Sequence, residues 1–254
     1  MRARALSRWR AAGLHLLICL AIAAAVVTLM LALWYPPPLF QAAGGHDLLF
    51  IMVGVDVVIG PLCTLVVYKS GKRGMKFDLA VIGALQFMAL VYGCYVVALA
   101  RPVFIVFVKD RFELVTAVDI DPEELAKAKL PEFRSLPLAG PQIIGAEEPA
   151  DPQERERILF ASVLGHLDWQ NFPELYVPYA QVASTAAAKG MTLEKARTVE
   201  PEAAAAIDTY LAASGKTASD IRYLPLKTRR TWLAAVVDAK SGAVLAFLRL
   251  KSSP

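Results

Sequence analysis

The chain has 254 residues, 56% of them hydrophobic, with a mean hydropathy of +0.46, which is too apolar for an ordinary soluble enzyme. Its formal net charge of +4 does not mark a nucleic-acid binder. Residues 1–100 hold eight Lys or Arg against three Asp or Glu, residues 101–254 hold 19 against 20, and the basic excess therefore lies beside apolar runs.

Those runs come first in the chain. Ala11 to Leu33 has no Asp, Glu, Lys or Arg, Leu48 to Tyr68 has only Asp56, and Leu79 to Ala100 has none. About 20 residues at about 1.5 Å each cross roughly 30 Å of hydrocarbon. The sequence predicts three transmembrane helices in residues 1–100 and a soluble domain over residues 101–254. Arg2, Arg4, Arg8 and Arg10 precede the first span, and Lys69, Lys72, Arg73 and Lys76 separate the second from the third. WYPPPLFQAAGGH, between the first and second, has no Lys or Arg. Positive loops stay cytoplasmic, so the N-terminus is expected inside and the soluble domain outside. In a bacterium this means a multi-pass inner-membrane protein with a periplasmic C-terminal domain. The first run exceeds a signal-peptide core and ends in WYPPP without a small-x-small site, so an uncleaved signal anchor is expected. Cys19, Cys63 and Cys94 fall one per span and read as small apolar fillers. The soluble domain has no cysteine, hence no disulfide staple.

Trp34-Tyr35 suits the membrane interface, Pro36-Pro37-Pro38 forces an extended exit, and Gly44-Gly45 turns the chain back, giving a short outer hairpin. The inner loop KSGKRGMKFD makes spans two and three antiparallel neighbours, with Asp78 at a helix start. Beyond Arg101-Pro102, PVFIVFVKDRFELVTAVDI reads as a β-hairpin around Lys109-Asp110-Arg111. Asp121-Pro122 caps a short helix stopped by Pro131. GPQIIGAEEPADPQ reads as linker. Asp151-Pro152 opens a helix with Ile158, Leu159, Ser162 and Val163 as its apolar stripe. LDWQNFPELYVPYA reads as irregular loop, and helices are expected at 178–189 and 201–213. TASDIRYLPLK is a turn and a strand; TWLAAVVDAKSGAVLAFLRLK is a hairpin around Asp238 to Gly242. The expected class is a membrane protein: three N-terminal transmembrane α-helices plus a C-terminal α+β periplasmic domain.

Catalytic patterns are missing. No metal spacing, nucleophile elbow, phosphate loop or dinucleotide fingerprint occurs, so no catalytic residue, cofactor or metal is expected. SGKTASD at 214–220 has Tyr210 where a phosphate loop needs glycine. His166 and Asp168 read as a solvated helix end, and the run at 154–157 as a solvated helix face.

Asp56 stands out. It lies about eight residues, or roughly 12 Å, below the outer edge of its span, where a carboxylate costs several kcal/mol unless protonated, hydrated or paired. Tyr92 and Tyr95 on span three are candidate donors to it. Three readings stay open: an internal polar clasp or protonated acid, a contact offered to a partner helix, and an ion or proton path. Gly60-Pro61 kinks the same span and thins it for close approach. Gln86 adds a polar group at mid-membrane.

VDVVIGPLCTLVVYKSGK, KFDLAVIGALQFMALVYG and ARPVFIVFVKDRFELV, in that order, resemble the type IV pilin accessory proteins of the TfpX/TfpZ group. RYLPLKTRRTW and VVDAKSGAVLAFLRL resemble it again near the end. The resemblance implies an inner-membrane, chaperone-like protein, without catalysis or cofactor, that assists type IV pilin stability, pilus assembly or pilus dynamics. Its implied partners are a cognate major pilin, other inner-membrane components of pilus assembly, and the lipid bilayer, with no nucleic acid. Asp56, Gly60, Pro61, Gln86, Arg101 and Pro102 are the candidate partner-binding residues, since they carry both the motif and the physical oddity. The near-neutral soluble domain favours recognition by shape over steering by charge. The alternative is a membrane enzyme modifying pilin or a glycan at the outer interface, where only His46, Asp47 and Arg101 are obvious. A sensor would need an output module that inner segments of about ten residues do not supply.

Overall fold

The computed structural model describes residues 7–165 and 167–250; Arg2, Arg4, His166 and Pro254 lie outside the described residues. Within them the chain forms two compact units, one of residues 7–33 and 44–99, the other of residues 34–43 and 100–250.

In chain order the helices begin with α1 (Arg8–Leu33), the one-turn α2 (Leu39–Ala42) and α3 (Gly45–Gly54). A single π-helical turn, Val55–Ile59, joins α3 to α4 (Gly60–Val67), and α5 (Met75–Ala100) completes the set. Three helices are long and apolar enough to cross a membrane: α1, the continuous Gly45–Val67 stretch, and α5. Their large apolar side chains mostly point away from the bundle, Phe50, Val66 and Phe87 among them, as lipid-facing residues do. Asp78 sits in the first turn of α5, as expected, and accepts from Lys72 Nζ at 2.5 Å.

The second unit is a seven-stranded mixed sheet. Its strands are β1 (Pro102–Val108), β2 (Arg111–Thr116), β3 (Gln142–Ala146), β4 (Tyr176–Pro178), β5 (Ile221–Lys227), β6 (Trp232–Asp238) and β7 (Val244–Arg249). The order across the sheet is β4-β3-β1-β2-β5-β6-β7. The two expected hairpins are present, β1–β2 with Phe107 opposite Phe112 and β6–β7 with Ala235 opposite Phe247. Two parallel pairings, β1 with β3 and β2 with β5, fuse them into one sheet. Every residue of β1 is buried, as a central strand covered on both faces requires.

Between the hairpins run α6 (Pro122–Leu125), α7 (Pro152–Gly165), α8 (Tyr179–Lys189), α9 (Leu193–Val199) and α10 (Pro201–Ser214). Asp121 accepts from the Glu123 N–H at 2.8 Å and Asp151 from the Gln153 N–H at 3.0 Å, the caps their sequences promised. One core joins Phe104, Val106 and Ile144 to Phe133, Ile158 and Tyr176. A second sets Ile105, Phe107 and Leu226 against Val182 and Ala186 of α8. A third packs Tyr223 and Val236 against α9 and α10.

Three expectations need correction. The segment read as linker contains β3, whose Gly145 lies so close under Val182 that a Cβ there would collide with it. The stretch read as irregular loop carries β4, which pairs antiparallel with β3, Gly145 opposite Val177. On α7 only Ile158 of the proposed stripe is fully buried; Leu159 and Val163 are 63% and 69% exposed, because this helix meets the core along a narrow line.

Candidate functional site

Pro61 dictates the geometry at the centre of the first unit. In the i→i+5 spacing of the π turn, the Asp56 carbonyl would look to position 61, where proline has no N–H. Gln86 of α5 fills the vacancy: its Nε2 donates to the Asp56 carbonyl at 3.1 Å and lies 3.5 Å from Cys19 Sγ of α1. Gly60 makes room for this, since any Cβ there would collide with the Gln86 amide. The four intramembrane candidates therefore form one constellation: proline removes a donor, glycine opens the space, glutamine restores the donor, and Asp56 supplies the acceptor. Cys19, Asp56 and Gln86 each lie eleven residues in from the first residue of their spans, at mid-height.

The Asp56 side chain is 8% exposed, and neither its Oδ1 nor Gln86 Oε1 has a hydrogen-bond partner among the described residues. Tyr92 and Tyr95 are not its donors: both are exposed, and Tyr92 lines a separate cavity with Met52 and Val55. The span begins at Gly45, three residues before the apolar run, which moves Asp56 deeper, to the level of Gln86. Met52 sits level with Gly93, where an added Cβ would approach Met52 Cγ to 2.7 Å.

Sequence reasoning missed the contribution of α1. His15 Nδ1 and Thr64 Oγ1 are 2.5 Å apart, and Cys19 lies against Gln86. The spacing of His15 and Cys19, four residues on one helix face, was the available signal. Both line a cavity of about 280 Å³ together with Asp56, Gly83, Gln86 and Phe87.

Arg101 and Pro102 belong to the second unit, with Trp34–Ala43. Pro102 opens β1 opposite Thr116. The Arg101 guanidinium lies 5.7 Å from the Trp34 ring centre, and Trp34 Nε1 donates to the Leu138 carbonyl at 3.0 Å. Tyr35 is buried and meets Phe40 edge-on; burial pushes its phenol up to about 12, opposed by nearby Arg101. Burial likewise pulls Arg101 below its ordinary value, and Tyr35 counters it. Leu39 and Ala42 enter the same core as Phe107, Leu226 and Leu233. Thr228 Oγ1 donates to the Ala42 carbonyl at 2.9 Å, and Arg249 bonds Gln41. The stretch read as an outer hairpin is thus a structural part of the sheet unit.

Of the groups considered for an enzyme, His46 Nε2 lies 3.0 Å from Asp47 Oδ1 in the first unit. No group of three or more His, Cys, Asp or Glu among the described residues could hold a metal. In the SGKTASD stretch, which has part of a phosphate-loop pattern, Thr217 and Asp220 bond each other in a capping box.

A family profile, fimbrial assembly protein FimB, matches residues 3–44. Three curated relatives come from Dichelobacter nodosus. The fimbrial assembly protein of serogroup I is 35% identical over 170 residues, 66% of this chain and 65% of the relative. That of serogroup E1 is 34% identical over the same shares. This chain therefore spans just under two thirds of the length of these two. No solved structure matches. The fimbrial assembly protein of serogroups C1 and C2 is 36% identical over 118 residues, 46% of this chain and 90% of the relative. With nine tenths of that relative covered, this chain belongs to the family of fimbrial assembly proteins.

Proposed function

We propose that this protein is a chaperone-like accessory factor of the bacterial inner membrane that binds a cognate type IV pilin and assists its stability, its assembly into the pilus, or pilus dynamics. One observation carries the reading. A chain of the fimbrial assembly family builds a widened helical turn, a buried carboxylate and a donor-supplying glutamine into the middle of its bundle, none of which a plain anchor needs. Intramembrane polar groups of this kind mark sites of function. The relatives are named for fimbrial assembly and not for a reaction, which disfavours the enzyme reading.

In this proposal residues 1–100 are the membrane region and residues 101–254 a periplasmic head, with the N-terminus and the Lys69–Lys76 loop cytoplasmic. A pilin waiting in the membrane on one apolar helix meets the polar bundle face around Asp56, Gly60, Pro61 and Gln86, and its globular part meets the head. Arg101 and Pro102 fix the start of the head's first strand. Other inner-membrane components of pilus assembly are further partners.

The test is a deletion in a piliated host, scoring total pilin by immunoblot and pili at the surface. The expected result is loss of pili. Depleted pilin would identify a stabilising role, and pilin retained in the membrane would identify an assembly step. Normal pilin with normal pili would overturn the proposal.

A further inference from the structure

We infer that the cleft at Cys19, Asp56, Gly83 and Gln86 seats a partner's transmembrane helix, and that it selects a helix carrying a hydrogen-bond donor at mid-membrane depth. The inference deepens the accessory reading, on which it rests for the identity of the partner as a pilin.

The cleft holds two buried acceptors that no described residue of the bundle answers. Gln86 Nε2 is engaged by the Asp56 carbonyl, while Gln86 Oε1 and Asp56 Oδ1 have no partner among the described residues. Asp56 is more than nine-tenths buried and lines the cavity. His15 Nδ1 is taken up by Thr64. Hydrocarbon supplies no donors, so buried acceptors here call for a donor brought by protein.

The walls say where that protein comes from. Phe87 is 65% exposed, and Ile18 beside it is also exposed, so the cleft opens towards lipid and admits a membrane helix in preference to a soluble ligand. About 280 Å³ holds one or two side chains, not a whole helix. The partner's backbone lies across the opening and inserts a hydroxyl, amide or amine. Gly83 permits the approach, because a Cβ there would meet nothing within 4 Å. This also separates Gly83 from Gly60, whose space is already filled by Gln86.

The experiment uses the full chain in its native membrane. A photo-crosslinking amino acid replaces Phe87 on the cleft wall or, as control, Leu85, which is exposed on the same helix but does not line the cleft. Phe87 is expected to capture the pilin through its membrane helix, and Leu85 is not. Gly83→Leu should cut the adduct about tenfold, while Gly13→Leu, at another glycine with open space, leaves it unchanged. Replacing the donor on the captured helix by an apolar residue of similar size should weaken capture about threefold to tenfold. Adducts with lipid alone, equal capture from Leu85, or indifference to the partner's donor would each overturn the inference. If Gly83→Leu fails to accumulate, the Phe87 and Leu85 contrast and the donor replacement decide. Lost pili on deletion with capture only from the head leaves the accessory reading standing and removes the cleft. Normal pili on deletion, with donor-dependent capture of some other identified membrane helix at Phe87, does the reverse.

Discussion

At the centre of the second span a backbone vacancy comes before any question of charge. Pro61 withholds an N–H, Asp56 is left with an open carbonyl, and a side chain from α5 answers it at 3.1 Å. Gln86→Leu should therefore destabilise the bundle by about 1 kcal/mol, the scale of one intramembrane hydrogen bond. Pro61→Ala restores an in-helix donor, so the same Gln86→Leu change should cost almost nothing in that background. A double-mutant cycle by detergent-induced unfolding measures the coupling, and equal costs in both backgrounds would contradict the assignment. The odd residues of this site were legible in sequence, since a charge, a proline and an amide are conspicuous in apolar runs. Their pairing was not. Helix register is set by where the span begins and by the extra residue of a π turn, and neither leaves a mark in hydropathy, so Tyr92 looked like the neighbour that Gln86 is.

Among the elements, Trp34–Ala43 changes most between sequence and structure. Its Trp, Tyr and prolines suit a membrane interface, and nothing local says that Leu39 and Ala42 complete a core with strands far along the chain. Leu39→Ala should cost the sheet unit about 2–5 kcal/mol, as a fully packed leucine does. A fragment of residues 101–254, lacking the segment, should be correspondingly less stable; equal stability with and without residues 34–43 would refute its role. The phenol of Tyr35 gives the segment a pH signature. Its folded value is raised from 10.0 to about 12, so its contribution is intact below pH 10 and is lost as pH rises from there towards 12. Denaturant midpoints should fall across that window, less steeply in Tyr35→Phe; an unchanged slope would show that the burial is unimportant. Long apolar runs, and apolar strands flanking a short charged or small polar turn, are local signals, which is why the spans, β1–β2 and β6–β7 were legible. β3 has only two consecutive apolar residues, Ile143 and Ile144, before a glycine, and the β2–β5 pairing joins residues more than a hundred positions apart; no local pattern encodes either.

For the molecule as a whole, the charge distribution makes a prediction about sidedness. Four basic residues lie before or within the first turn of the first span and four between the second span and the first turn of the third, so a reporter fused after Pro254 should read as outside the cytoplasm and one at Gly71 as inside; a cytoplasmic signal from the C-terminal fusion would reverse the proposed topology. The bond between Thr228 and the Ala42 carbonyl spans 186 residues, and it ties the protein's maturation to its synthesis. At about 5–20 residues per second, residues 34–43 are made roughly ten to forty seconds before the last strands that cover them. β1, β2 and α8 supply the first part of their cover, and a chain that stops before β6 leaves Leu233 and Ala235 out of the core around Leu39 and Ala42. Proteases that clear exposed apolar chain would then remove copies truncated before the last strands, so that intact length is checked through a segment made near the start.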